Sequence, residues 1–308
     1  MKAIRIHEFG GPEVLKLEDL PDPQPQAGEV LIEIRAASVN PVDYKIREGK
    51  YPAVKQDQLP VVLGRDVAGA ITALGAEVSG FKEGDEVYAM LPPDRGGYAE
   101  KVAAIATAVA RKPASLDLIW AASVPLAALT AWQGLFDHGG LHGGQSVLIH
   151  GAAGGVGHFA VQFAKAKGAK VFATASGDMK DFVEELGADR AIDYKAERFE
   201  DIVHDVDLVY DLIGGETQDR SWQVLKRGGT LICTVQAPDE VKAAEYGVTA
   251  KRYTAQPSGE QLREIGNLID AGKVKVTLDQ VFPLAEAAEA ERHLEQDHLK
   301  GKVVLEIG

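Results

Sequence analysis

Ser146-Val147-Leu148-Ile149-His150-Gly151-Ala152-Ala153-Gly154-Gly155-Val156-Gly157 is the stretch from which the fold is read. A short apolar strand runs into a glycine-rich turn. Val156, Phe159, Ala160, Phe163 and Ala164 then share one face at helical spacing. Strand, glycine turn and helix in that order make a dinucleotide-binding fingerprint. Gly154 lets backbone approach a pyrophosphate, Gly157 lets the helix pack closely on the strand, and the helix N-terminus offers unpaired N–H groups and a positive dipole end. Ala152 stands in for the first glycine of the usual G-x-G-x-x-G form, and its small side chain still permits the turn. A glycine turn with no ligand is the plain alternative, but the flanking strands and helix favour a cofactor. Its phosphate contacts fall to Ala153, Gly154, Gly155 and Val156.

The next strand, Lys170-Val171-Phe172-Ala173-Thr174, bears on which dinucleotide binds. NAD enzymes usually carry Asp or Glu about 20 residues past the fingerprint, facing the adenosine ribose. Counting 19 from Gly157 reaches Ser176, with Lys180 four residues later. Two like charges about 4 Å apart repel by about 4 kcal/mol at an effective dielectric of 20, so a carboxylate there would reject a 2′-phosphate. A neutral Ser176 beside Lys180 suits one, and NADPH is the expected cofactor. Asp178 lies between them, which leaves NADH use open. The plain alternative is that Ser176 and Lys180 only cap and solvate the next helix.

Working outward, Leu208-Val209-Tyr210 and Thr230-Leu231-Ile232-Cys233 read as further buried strands, so strands and helices alternate from 118 to 255 as in a parallel sheet. Before this region, Val30–Ile34, Val67–Leu74 and Glu86–Ala89 are short runs broken by Gly and Pro, a mostly antiparallel β texture. After it, helices are expected over Glu260–Ala271 and Ala285–Gln296. A closing strand, Gly301–Ile307, is expected to pack back onto the first region.

The composition narrows the function. The chain has 308 residues, with 33 Lys plus Arg against 46 Asp plus Glu, a net charge of −13. With no basic block, it is a poor binder of nucleic acid or an anionic membrane. The most apolar stretch, Ile119–Trp132, is interrupted by Ser123, Pro125 and Thr130 and is too short to span a bilayer. Met1–Ile6 alternates like a strand rather than running apolar like a signal peptide, so a cytoplasmic location is expected. The one cysteine, Cys233, excludes an intrachain disulfide and a Cys-rich zinc site, and it reads as core rather than as a nucleophile. His138 and His142 stand four apart, but Gly139-Gly140 between them argue for loop histidines rather than a metal pair.

Four motifs now stand in order: Ser38-Val39-Asn40-Pro41-Val42-Asp43-Tyr44, Leu63-Gly64-Arg65-Asp66-Val67-Ala68-Gly69, Pro125-Leu126-Ala127-Ala128-Leu129-Thr130-Ala131-Trp132, and the fingerprint. Together they resemble the zinc-free quinone-oxidoreductase branch of the medium-chain dehydrogenase/reductase superfamily, over nearly the whole chain. The resemblance implies an α/β fold: a Rossmann doubly wound parallel sheet (118–255) inserted into a GroES-like, mostly antiparallel β catalytic domain (1–117 and 256–308). Zinc alcohol dehydrogenases of the superfamily carry a Cys near Asn40 and Gly-His-Glu at Gly64-Arg65-Asp66. Here neither the Cys nor the His is present, and the cysteine-rich lobe expected near Met90–Gly97 is absent, so no metal is expected.

Without a Lewis acid, the implied chemistry is NADPH-dependent reduction of a small-molecule quinone or of the activated C=C of an enone. On the substrate side the resemblance points to Asn40 as a hydrogen-bond donor to a carbonyl and Tyr51 as a proton donor, an ordinary tyrosine being protonated at neutral pH. Tyr44 is a second candidate, and Arg65 a fixed charge for an enolate oxygen. The plain alternatives are that Tyr51 packs beside Pro52, that Arg65 pairs with Asp66 or Asp43, and that Asp43 orients loop backbone. On the cofactor side it implies Thr130 at the nicotinamide, Tyr194 at the adenosine phosphate, and the backbone of Val235 and Gln236 at the nicotinamide amide. A homodimer is implied as well. A 2-enoyl thioester reductase and a non-catalytic NADPH-binding relative are the competing readings.

Overall fold

The computed structural model describes residues 1–295 and 299–308. The chain divides into two compact units. Unit 1 is Met1–Leu126, Gln256–Ala271 and Val276–Gly308, and unit 2 is Ala127–Ala255 with Gly272–Lys275.

Unit 1 opens with strands β1 (Lys2–Ile6), β2 (Lys16–Asp19) and β3 (Glu29–Val39), helix α1 (Pro41–Arg47), then β4 (Val61–Val62), β5 (Asp66–Leu74), β6 (Glu86–Met90), β7 (Lys101–Ile105) and β8 (Val109–Arg111). Helix α2 (Leu118–Ala122) packs on β3, β5 and β6. That packing carries unit 1 to Leu126, inside helix α3 (Pro125–Trp132), where the sequence reading stopped at 117.

Unit 2 continues with β9 (Ser146–His150), α4 (Gly157–Ala166), β10 (Lys170–Ala175), α5 (Lys180–Glu185), β11 (Arg190–Asp193), β12 (Val206–Asp211), α6 (Gly215–Ser221), β13 (Leu225–Cys233), α7 (Glu240–Tyr246) and β14 (Thr249–Arg252). Its sheet runs β11-β10-β9-β12-β13-β14, and every neighbouring pair is parallel. This is the doubly wound order, with its switch point at β9. Phe159, Ala160, Phe163 and Ala164 of α4 are buried, as their spacing requires.

The chain returns to unit 1 with α8 (Gly259–Asp270), β15 (Leu278–Pro283), α9 (Ala287–Glu295) and β16 (Lys302–Glu306). The expected second helix starts two residues later than Ala285, after a 3-10 turn at Leu284–Glu286, and its expected end at Gln296 lies outside the described residues. β16 pairs antiparallel with β3, Val303 opposite Val39, so the closing strand does pack onto the first region. The unit 1 sheet runs β15-β16-β3-β5-β6-β8, with β7 also on β3, and is antiparallel except for β15 with β16. A small sheet, β2-β1-β4, stands beside it. Among the described residues no helix is long and apolar enough to cross a membrane.

Candidate active site

In unit 2 the fingerprint turn is shaped by close backbone contacts. Gly151 has φ +74°, in the left-handed region that favours glycine. A Cβ on Gly157 would stand 2.2 Å from the Gly151 carbonyl oxygen and 2.7 Å from Ala152 Cα, so only glycine lets α4 start there. Gly154 differs: a Cβ on it would meet only the Gly151 oxygen, at 3.5 Å. The space in front of Gly154 is open. The N–H groups of Ala153, Gly155, Val156 and Gly157 donate to no acceptor among the described residues. Val156 at the N-cap of α4 offers no side-chain cap. Unsatisfied, half-buried N–H groups at the positive end of a helix make a cradle for a pyrophosphate.

The residues expected at the adenosine stand on β10, α5 and the turn after β11. Ser176 directly follows β10 and is buried. Tyr194 N–H donates to the Ala175 carbonyl at 3.1 Å, which ties the β11 turn to that strand end, and Tyr194 is half exposed at 52%. Lys180 Nζ donates to Glu197 Oε2 at 3.1 Å. The Asp193 N–H donates to the same oxygen at 3.1 Å, and Arg190 holds the other. The Asp193 N–H, with Lys180 behind it, keeps the Glu197 carboxyl below its ordinary value. An acid also reaches Gly177, from the neighbouring strand: a Cβ there would lie 2.6 Å from Asp193 Oδ2. Tyr194, Lys195, Glu197, Arg198, Glu216 and Arg220 are among the residues lining a cavity of about 380 Å³.

At the other side of the switch point, β12 ends at Asp211 and the chain turns through Leu212-Ile213-Gly214 into α6 at Gly215. Buried Asp211 accepts from the N–H groups of Ile213 and Gly214, both at 2.9 Å, and from Gln218 Nε2 at 3.0 Å. The sequence reading passed over this turn, although Gly214-Gly215 directly after an apolar strand signals it. Gln236 Oε1 accepts the Gly215 N–H at 2.9 Å, and its carbonyl accepts Cys233 Sγ–H at 2.8 Å, while Val235 is 43% exposed. Burial pushes the Cys233 thiol up to about 11, so it stays protonated core, as expected.

Thr130 is buried, and its carbonyl accepts from Tyr210 at 3.0 Å and from Tyr253. The two hydroxyls also touch, at 2.6 Å. This contact precedes a π-helical turn, Gln133–His138, so His138 is not in a loop as expected. Its ring lies 4.6 Å from that of Tyr253. π turns commonly mark functional stretches of a helix.

Buried His150 stays neutral, with burial holding it down to about 4. Ser221 donates its proton to Thr217, so His150 Nε2–H donates to Ser221 and Nδ1 accepts from Thr174, both at 3.0 Å.

In unit 1 the expected substrate residues meet a buried polar knot. Asn40 is 1% exposed. Its Nδ2 donates to Asp66 Oδ2 at 2.9 Å and to Ser38 Oγ at 3.2 Å, and its Oδ1 accepts from Lys302 Nζ. The amide expected to reach a substrate carbonyl is therefore occupied inside the protein. Asp66 also accepts Ser38 Oγ–H at 2.5 Å and the Leu126 N–H at 2.7 Å, and lies 3.9 Å from Lys302 Nζ. Burial raises Asp66 and lowers Lys302, each pulled back by the other's charge.

Asp43 closes the start of α1 by accepting the Asn40 N–H at 2.8 Å, and accepts Tyr98 OH at 3.1 Å. Burial pushes it up to about 7. Asp43 thus orients backbone, as the plain reading had it. Arg65 pairs with neither Asp66 nor Asp43: its Nε donates to the Leu91 carbonyl at 2.6 Å, and it is 4% exposed.

Tyr44, on α1, is half-buried, and burial with Glu295 and Glu48 raises its hydroxyl further above neutrality. Tyr51 is half-buried against the unit 1 core. Lys302 and Ser38 were missed by sequence reasoning. Nothing local marks Lys302, whose partner Asn40 is 262 residues away.

Among the described residues no three His, Cys, Asp or Glu side chains are grouped to hold a metal ion. The His142 ring contacts the Gly143 carbonyl at 3.2 Å, and His298 lies outside the described residues. A doubly wound sheet with an open glycine cradle at its switch point defines the dinucleotide-binding class.

Residues 26–114 match the family described as an alcohol dehydrogenase GroES-like domain, and residues 186–305 match one described as a zinc-binding dehydrogenase. An NADPH-dependent alkenal/one oxidoreductase of Arabidopsis thaliana, described as chloroplastic, is 39% identical over 317 residues, 99% of this chain and 79% of its own. The structure of the quinone oxidoreductase from Coxiella burnetii is 37% identical at a TM-score of 0.92, covering 100% of this chain and 99% of its own. That of the Escherichia coli quinone oxidoreductase complexed with NADPH is 30% identical at 0.90, covering 99% and 100%. The chain belongs to the medium-chain dehydrogenase/reductase superfamily, in its zinc-independent quinone-oxidoreductase branch.

Proposed function

We infer that this chain is an NADPH-dependent oxidoreductase that reduces quinones or the activated C=C of α,β-unsaturated carbonyls. The observation that carries the reading is the pairing of an open glycine cradle with a neutral strand end, Ser176, backed by Lys180. Relatives that carry NADPH, quinone or alkenal in their names support it. Ala153, Gly154, Gly155 and Val156 would hold the pyrophosphate and Ser176, Lys180 and Tyr194 the adenosine side. Thr130, Val235 and Gln236 would flank the nicotinamide. When bound, NADPH supplies the hydride.

The protein's own part is to orient the substrate carbonyl and deliver a proton. Tyr44 and Tyr51 are the residues for that step. Burial and nearby carboxylates make Tyr44 hold its hydroxyl proton more firmly than an ordinary tyrosine does. Asn40 serves by tying Ser38, Asp66 and Lys302 to the start of α1, and Arg65 by clamping Leu91. Both are positioning residues in this reading.

The test is NADPH consumption across quinones, enones, alkenals and enoyl-CoAs. Turnover of quinones and small enones without added metal is expected. Turnover confined to enoyl-CoAs would establish the thioester reductase, and none at all the non-catalytic reading. Tyr51→Phe or Tyr44→Phe should lower kcat by about 100-fold with the NADPH Kd unchanged. If both variants keep full kcat, the proton-donor assignment is wrong. A reducing compartment such as the cytoplasm fits the lone buried thiol. A homodimer completes the reading, with sedimentation velocity as its check.

A further inference from the structure

Lys180 does not stand ready for an anion. In this structure its ammonium is already held by Glu197, 3.1 Å away, and both side chains are about a quarter exposed, at 28% and 26%. Glu197 cannot easily swing aside. One of its oxygens also accepts the Asp193 N–H, the other accepts Arg190, and its own N–H donates to the Asp193 carbonyl at 2.8 Å. Those contacts fix Glu197 on the turn that carries Tyr194, and the Tyr194 N–H ties that turn to the end of β10 beside Ser176. Asp193 adds a second carboxylate against Gly177. A 2′-phosphate arriving beside Ser176 would therefore meet a cation whose charge is already balanced and would have to compete with a carboxylate for it. A ribose with a free 2′-hydroxyl would meet no such competition.

We propose that Glu197 sets the cofactor preference of this chain: by holding Lys180 it weakens NADPH binding while leaving NADH binding alone, which narrows the gap between the two cofactors. The proposal rests on the assignment of Lys180 to the 2′-phosphate.

Binding of NADPH and of NADH is measured by calorimetry on the purified full chain, for wild type, Glu197→Gln, Lys180→Met and the double variant. Glu197→Gln should tighten NADPH by about threefold or more and leave the NADH Kd at the wild-type value, which also reports an intact fold. The gain should shrink at high salt, since it is electrostatic. Lys180→Met should weaken NADPH by about tenfold, well beyond any change for NADH. In the double variant the gain from Glu197→Gln should vanish, because it acts through Lys180. An unchanged NADPH to NADH ratio in Glu197→Gln, or a gain that persists without Lys180, overturns the proposal. An unchanged ratio in Lys180→Met brings down the assignment beneath it instead.

Discussion

The fingerprint turn of unit 2 and the polar knot of unit 1 handle polar groups in opposite ways. The turn is backbone: the N–H groups of Ala153, Gly155, Val156 and Gly157, close in sequence, are left open at the end of a helix. The knot is side chain: Ser38, Asn40, Asp66 and Lys302 come from distant segments and close on one another in near-complete burial. One is unsatisfied so that something can bind. The other is satisfied so that what stands on it is held still. Asn40 and Asp66 together surround an ammonium supplied by the chain itself, that of Lys302.

The largest effect should come from the knot. Lys302→Met leaves the buried carboxylate of Asp66 without its cation and should cost about 3–5 kcal/mol of stability by urea unfolding. Adding Asp66→Asn should recover part of that loss. A single variant as stable as wild type would show that the knot does not depend on charge.

The turn should respond in two ways. Gly157→Ala drives a Cβ into backbone that cannot yield, and should cost about 1–3 kcal/mol along with NADPH binding. Gly154→Ala has room, so the fold should hold to within about 0.5 kcal/mol. Only its NADPH affinity should fall. Equal stability losses at the two positions would erase the distinction between packing and phosphate approach.

A smaller effect concerns pH. Burial pushes Asp43 up to about 7, and Glu291 up to about 8 with Asp43's charge adding to it. Asp43 Oδ1 and Glu291 Oε1 have no hydrogen-bond partner among the described residues. Between ordinary carboxylate values and these, the folded protein keeps protons that the unfolded chain has released. Stability contributed by these groups is therefore full at low pH and is lost as pH rises from about 4 to about 8. Glu291→Gln should flatten that slope in urea melts at pH 5 and pH 8. An unchanged slope would place the titration elsewhere.

The contrast also explains what could be read in advance. The fingerprint, its strand and its helix are contiguous, so periodicity and glycine spacing expose them. β14 was missed because it is short and its residues are mostly exposed, and β13 starts five residues before Thr230 because Lys226, Arg227, Gly228 and Gly229 hide its apolar character. Asn40 was found at a key position, but its bonds to Asp66 and Lys302 were not foreseen, since those partners cannot be seen from its neighbours. Asp193 was missed for a related reason: the search for an acid ran along β10, and this one arrives from β11.

Lys302 also orders events in time. The ribosome adds about 5–20 residues per second, so the 262 residues separating Lys302 from Asn40 take roughly ten to fifty seconds to make. Until then Asp66 has no ammonium and β3 has no β16 beside it. Ala127–Ala255, the continuous body of unit 2, is finished within that interval. The nascent chain can thus close its inserted half first, while the enclosing half stays open to chaperones and proteases until its last strand arrives.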